Sequence, residues 1–309
     1  MGELQREKVA VIIGPTAVGK TKLSIDLAKA LNGEIISGDS MQIYRTMDIG
    51  TAKVTKEETE GIPHYMIDIK NPEDSFSVAE FQELVRGHIR EITERGKLPI
   101  IVGGTGLYIQ AVLYDYQFTD EAGDPVYREK LEKLATESGV EYVHKKLQEV
   151  DPESANRIHA NNVRRVIRAL EIFHTTGQKM SDRLEEQENE LLYDVSLIGL
   201  TMDRKMLYDR INLRVDLMVE QGLLQEVKAL YEGGVRDCQS IQAIGYKELY
   251  SYFEGRVSLE EAIAQLKTNS RRYAKRQLTW FRNKMDVAWF DVTEGEKTAE
   301  ILWYIEGKL

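Results

Sequence analysis

The chain has 309 residues, 42% of them hydrophobic and 30% charged, with a formal net charge of −10 at pH 7 and one cysteine, Cys238. The composition is that of a globular protein with room for more than one structural unit; it excludes an intrachain disulfide, and with a single cysteine it argues against a cysteine-built zinc site. No stretch approaches a membrane span and no apolar signal region follows the charged N-terminus, so a soluble cytoplasmic protein with no membrane partner is expected.

Residues 9–13 are apolar and predict a buried strand, and Leu23, Ile25, Leu27, Ala30 and Leu31 keep helical spacing after it. Between them runs Gly14-Pro15-Thr16-Ala17-Val18-Gly19-Lys20-Thr21, the G-x-x-x-x-G-K-T spacing of a Walker A loop in its required strand–loop–helix setting. Backbone N–H groups and the helix N-terminus of such a loop cradle phosphate oxygens. Lys20 is then expected to neutralise phosphate charge and the Thr21 hydroxyl to ligate Mg²⁺.

Residues 34–37 predict a second buried strand ending at Gly38-Asp39-Ser40. Parallel sheets carry their chemistry at the carboxyl ends of strands, which puts Asp39 in the crevice of the phosphate loop; a turn residue or helix cap is the alternative. Residues 44–53 predict a loop over the site, and residues 65–69 another strand. Ser77 and Glu80 have capping-box spacing ahead of a helix with Phe81, Leu84, Val85, His88, Ile89 and Ile92 on its apolar face, ended by Gly96. A third buried strand at residues 99–102 feeds a second glycine turn, Gly103-Gly104-Thr105-Gly106, where Thr105 is either a hydroxyl for the crevice or an ordinary turn residue.

From about Tyr116 helices take over, opened by Asp124-Pro125 and Asp151-Pro152 as N-cap and first helical residue. Arg164 and Arg168 lie one turn apart on a helix and form a stripe able to meet phosphates, or a solvated face in which Glu171 pairs with Arg168. His159 reads as a structural hydrogen-bonder and residues 185–190 as an exposed acidic run. Strands return at residues 195–200 and 287–290. The predicted architecture is an α/β core with a mainly parallel, helix-flanked sheet of the P-loop NTPase kind at residues 1–115 and 195–309, interrupted by an all-helical insertion at 116–194. In the returning half, Arg210 and Arg214 share a helix face, and residues 271–282 form a basic helix interleaved with aromatics, with Ala274, Leu278 and Phe281 as its core stripe.

A Walker A loop first suggests a nucleotide or small-molecule kinase, but the apolar strand at 99–102 ends in Gly-Gly-Thr rather than in the Asp such enzymes use for Mg²⁺. The loop alone says only phosphates. A non-catalytic RNA-binding P-loop protein is a further alternative.

Several blocks in order, Asp39-Ser40-Met41-Gln42-Ile43-Tyr44, Asp48-Ile49-Gly50-Thr51-Ala52-Lys53, Gly103-Gly104-Thr105-Gly106-Leu107-Tyr108, Arg168-Ala169-Leu170-Glu171 and Lys275-Arg276-Gln277-Leu278-Thr279-Trp280, resemble the bacterial-type tRNA dimethylallyltransferase family. The resemblance implies transfer of a dimethylallyl group from dimethylallyl diphosphate to N6 of adenosine 37 in the anticodon loop of tRNA, by an enzyme acting as a monomer. It implies Asp39 as general base, Thr105 as an orienting hydroxyl, and Lys20, Arg214 and Mg²⁺ at Thr21 as stabilisers of the leaving diphosphate. For tRNA it implies contacts from Asp39, Ser40, Met41, Gln42, Thr105, Arg128, Arg164, Arg165, Val166, Ile167, Arg168, Gln242, Tyr246, Lys247, Lys275, Arg276, Trp280 and Arg282. Val54 and Tyr65 depart from the family's usual proline and histidine, outside the implied chemistry.

Overall fold

The computed structural model describes residues 6–116, 124–186 and 190–308. In chain order come β1 (Lys8–Ile13), α1 (Lys20–Ala30), β2 (Gly33–Ser37), β3 (His64–Tyr65), α2 (Val78–Glu94), β4 (Leu98–Gly103) and α3 (Gly106–Leu113). Helices α4 (Pro125–Ser138), α5 (Val140–Val150), α6 (Pro152–Arg157), α7 (Val163–Thr176) and α8 (Met180–Glu186) follow. The chain then returns through β5 (Asp194–Thr201), α9 (Arg204–Glu220), α10 (Leu223–Glu232), α11 (Tyr246–Phe253), α12 (Leu259–Lys284), β6 (Ala288–Asp291) and α13 (Thr298–Glu306). Contacts divide it into two units, one built from Met1–Leu113 and Leu191–Leu309, the other from Tyr114–Glu190. Among the described residues no helix is long and apolar enough to cross a membrane.

The first unit is a six-stranded sheet in the order β3-β2-β4-β1-β5-β6, parallel at every pair. Its central strands are covered on both faces, which is why they read as unbroken apolar runs rather than alternating ones. Val9, Ala10, Val11, Ile12 and Ile13 are all buried. The connection leaving β1 runs toward β2 on one side, whereas the one leaving β4 runs back past β1 to β5. The order therefore reverses between β1 and β4, and their carboxyl ends flank the crevice where such sheets bind ligands.

The strand expected at residues 65–69 stops after Tyr65. Met66 and Asp68 have φ of 63° and 55°, left-handed values that no strand tolerates. Tyr65 finds another use: its hydroxyl donates to Glu34 Oε2 at 2.8 Å, and Arg95 and Lys97 reach the same carboxylate at 2.6 and 2.7 Å. Burial would raise that carboxyl, but the Lys97, Arg95 and Tyr65 donors outweigh it and bring Glu34 down to about 2.

In the second unit, Asp124 and Asp151 cap α4 and α6 by accepting the N–H groups of Tyr127 (2.9 Å) and Ser154 (3.0 Å), each followed by proline at the first helical position. Its core gathers Leu131, Val143, Leu147, Val166, Ile167 and Leu170. Val166 and Ile167 are thus interior residues, which corrects the expectation that they touch tRNA; helical periodicity turns them inward while Arg164, Arg165 and Arg168 stay exposed. His159 Nδ1 accepts the Asn161 N–H at 3.1 Å. The acidic run expected at 185–190 lies largely outside the described residues, as does the N-terminal stretch 1–5.

Candidate active site

The glycine loop after β1 ends in Gly19, whose φ of 108° only glycine adopts without strain and which lets Lys20 open α1. Lys20 Nζ donates to the carbonyls of Gly14 and Pro15 at 3.0 and 2.8 Å, so the lysine lies folded along its own loop. Thr16, Ala17, Gly19, Lys20 and Thr21 line a cavity of about 680 Å³, whereas the Val18 side chain is buried in the core and can offer the site only its backbone. Asp39, at the end of β2, and Arg214, on α9, line the same cavity.

These three charges shape one another. Burial raises the Asp39 carboxyl above its ordinary value, against the Met41 N–H, which donates to Oδ1 at 2.8 Å, and against the nearby Lys20 and Arg214. Burial and then the Arg214 charge bring Lys20 down to about 8, with Asp39 pulling the other way. Burial lowers Arg214 as well, and it remains a cation. A carboxylate with a raised pKa beside two cations at a phosphate-type loop can accept a proton while the cations stabilise a departing anion. The turn role anticipated as the alternative for Asp39 is present too, since its hydrogen bond to Met41 closes an Asx turn that aims the carboxylate.

The second glycine turn is set by α12. Gln277, only 5% exposed, donates from Nε2 to Gly104 O at 3.0 Å and accepts the Thr16 N–H on Oε1 at 3.0 Å. A Cβ on Gly104 would lie 2.0 Å from Gln277 Nε2 and one on Gly106 2.2 Å from the Trp280 ring, so the glycines exist to admit this helix. Trp280 thereby serves the turn before it can serve RNA. Thr105, between them, is not a lining residue; its hydroxyl accepts the Ser40 N–H at 3.3 Å, and Ser40 does line the cavity. Tyr273, also on α12 and in the wall, has its phenol pushed up to about 12 by burial and then by the Asp39 charge, leaving it protonated.

Gln42 Oε1 accepts the Ser37 hydroxyl at 2.8 Å, and its Nε2 donates to the carbonyls of Thr51 (3.2 Å) and Ala52 (3.3 Å). Its amide is thus already engaged on both ends, and what it can still offer a base is an acceptor lone pair. The loop supplying those carbonyls is held by Glu226, whose carboxylate accepts N–H groups from Asp48 and Ile49 at 2.8 Å and Gly50 at 3.0 Å, and the Tyr246 hydroxyl at 2.5 Å. Tyr246 is fully buried, which corrects the expectation that it faces tRNA; Gln242 and Lys247 are exposed and line the cavity. Val54 also belongs to the wall, so that departure from the family pattern is closer to the site than its position in sequence implied.

Lys275, Arg276 and Arg282 are exposed on α12, and Arg276 reaches the cavity. In the insertion, Arg128 donates to both Glu171 oxygens (2.8 and 3.1 Å) and Arg168 to one (2.8 Å). Sequence reasoning passed over Gln277, although it is a polar residue inside the Ala274–Phe281 apolar stripe. Glu226 left no signal, because its partners are backbone groups 176 to 178 residues away.

The IPP transferase family model matches residues 42–284. The whole chain is 87% identical to tRNA dimethylallyltransferases of Bacillus cereus strain AH187 and Bacillus anthracis strain A0248, covering 98% of each. A crystal structure of the tRNA isopentenylpyrophosphate transferase from Bacillus halodurans superposes with a TM-score of 0.75 at 58% identity, over 98% of this chain and 97% of that one. A eukaryotic dimethylallyltransferase acting on tRNA matches at 0.79 and 35% identity, over 93% of this chain and 74% of the other. With the phosphate loop, Asp39 and Arg214 on one cavity and relatives this close over its full length, the chain belongs to the tRNA dimethylallyltransferase family.

Proposed function

We propose that this enzyme transfers the dimethylallyl group of dimethylallyl diphosphate to the exocyclic N6 of adenosine 37, beside the anticodon of tRNA, releasing diphosphate. The observation that carries this reading is the convergence of a phosphate-type loop, two cations and one carboxylate of raised pKa on a single cavity. The diphosphate lies in the Gly14-to-Thr21 loop. As the allylic C–O bond breaks and the C–N bond forms, Lys20 and Arg214 stabilise the charge gathering on the leaving group, and Asp39 takes the proton that N6 loses. Thr105 acts through its hydrogen bonds to Ser40.

The donor set suits Mg²⁺, which takes few protein ligands alongside phosphate oxygens and water: Thr21 exposes its hydroxyl in the first turn of α1, where a bound metal supplies further charge stabilisation to the diphosphate. A stacked base cannot enter such a cavity, so adenosine 37 is flipped out of the loop. Ser40, Met41 and Gln42 then meet the base, while Arg128, Arg164, Arg165, Arg168, Gln242, Lys247, Lys275, Arg276 and Arg282 meet the RNA. A few exposed basic patches on an acidic body bind one shaped RNA without favouring nucleic acid at large.

Mass spectrometry of nucleosides from unmodified tRNA, incubated with the protein, Mg²⁺ and dimethylallyl diphosphate, tests the reaction. The expected product is adenosine carrying one dimethylallyl group. Phosphoryl transfer from labelled ATP to a small acceptor, with the tRNA unchanged, would overturn it.

A further inference from the structure

Two loops that follow adjacent, in-register strands must be held at a fixed spacing for the proposed reaction. The phosphate loop follows β1 and the Gly103-to-Gly106 turn follows β4, with Ile13 paired to Gly103 where they part. Beyond that point the sheet no longer constrains them. Gln277 spans the gap with one planar amide, accepting the Thr16 N–H and donating to Gly104 O, both at 3.0 Å. The two contacts are made by different atoms, so the amide has one orientation that satisfies both. That close approach is possible only because residue 104 is a glycine, since any Cβ there would collide with Nε2.

We propose that Gln277 is a positioning residue for prenyl transfer: its side-chain amide sets the distance between the loop that holds the leaving diphosphate and the turn that orients the acceptor side through Thr105 and Ser40. This rests on the transfer reaction given above. Because the Thr16 N–H is directed at Gln277, the phosphate cradle is formed by the loop residues that follow it. On the other side, Thr105 is one residue beyond the carbonyl that Gln277 holds, and it passes that position to Ser40 through a 3.3 Å hydrogen bond. Gln277 lines the cavity, but both of these hydrogen bonds go to backbone groups of the two loops, so the role assigned to the amide is to set geometry.

The test compares full-length wild-type protein with Gln277→Met and Gln277→Glu. Methionine fills a similar volume without either hydrogen bond. With Q277M, the single-turnover prenylation rate at saturating substrates is expected to fall by about 10²-fold, the scale of a misplacement near 1 Å, while affinities for inorganic diphosphate and for tRNA, measured separately, change by no more than about threefold. Glutamate adds a signature that a packing role lacks. Buried at this position its carboxyl resists ionisation, and only the protonated form can accept from Thr16 and donate to Gly104 as the amide does. The Q277E rate, divided by the wild-type rate at the same pH, is therefore expected to rise as pH is lowered. A Q277M rate equal to wild type, a rate loss matched by equal losses of diphosphate or tRNA affinity or of folded protein, or a reduced Q277E ratio that does not recover as pH is lowered would each overturn the proposal. Wild-type protein that leaves tRNA unmodified would sink the transfer reading first, and is distinguished from these outcomes by that control.

Discussion

Arginines in the two units are supported in opposite ways. Arg214 lies on α9 inside the cavity wall, where burial lowers its pKa and Asp39 and Lys20 share its field. Arg164, Arg165 and Arg168 stand exposed on α7, one helical face of the insertion, above a core of Val166, Ile167, Ala169 and Leu170. A charge that must stabilise a transition state has to be preorganised and dry; a charge that grips RNA can be solvated, because many modest phosphate contacts sum. Substitution of Arg214 should therefore fail in rate, and substitution of the insertion arginines in affinity.

The largest break is expected at the proposed base. Asp39→Ala should lower the single-turnover prenylation rate by at least about 10²–10⁴-fold, with tRNA affinity largely kept, as read by filter binding. A parallel loss of binding or of folded protein would make Asp39 structural. Arg214→Ala should follow at about 10²–10³-fold, with a weakened affinity for inorganic diphosphate.

The pH profile sharpens the same contrast. Asp39 must be ionised and Lys20 protonated. Since burial raises the one and lowers the other to about 8, kcat/KM should rise with pH through the Asp39 pKa and fall again near pH 8. Bound diphosphate adds negative charge beside Lys20 and raises its pKa, so the alkaline fall in kcat should come at higher pH than that in kcat/KM. Coincident alkaline limbs would remove Lys20 from the diphosphate.

The core was legible where function sits on the backbone. The Walker loop, the Asp39 turn and the Gly103-to-Gly106 turn are local patterns, and a parallel sheet obliges them to meet at one edge. What escaped was long-range or dual in nature. The strand expected at 65–69 has the right side chains, but two left-handed residues break it. Tyr246 and Val166 belong to motifs read as RNA-binding, yet periodicity turns them into the interior. Glu226 is invisible because a carboxylate that receives backbone N–H groups leaves no pattern in the partner sequence. Its test follows from that geometry: in Glu226→Gln an NH₂ faces donors, which should destabilise the protein by about 1–3 kcal/mol in chemical denaturation and raise KM through the loop that holds Gln42. Unchanged stability would mean that the loop holds its shape without the carboxylate.

The smallest effects should separate arginines within the insertion itself. Arg164 is exposed and pairs with no acid among the described residues, so Arg164→Ala should weaken tRNA binding a few-fold, reduce the slope of log K against log[salt] by about 1, and leave stability within about 0.5 kcal/mol. Arg168 differs because its guanidinium, half-exposed at 45%, holds Glu171, whose side chain is 1% exposed. Arg168→Ala leaves that buried carboxylate to Arg128 alone, and should cost about 1 kcal/mol of stability on top of the same loss of affinity. Equal stability of the two variants would show that Arg128 satisfies Glu171 by itself. An Arg164 variant with unchanged salt slope would remove α7 from the RNA interface and leave the exposed basic face of α12 to carry it.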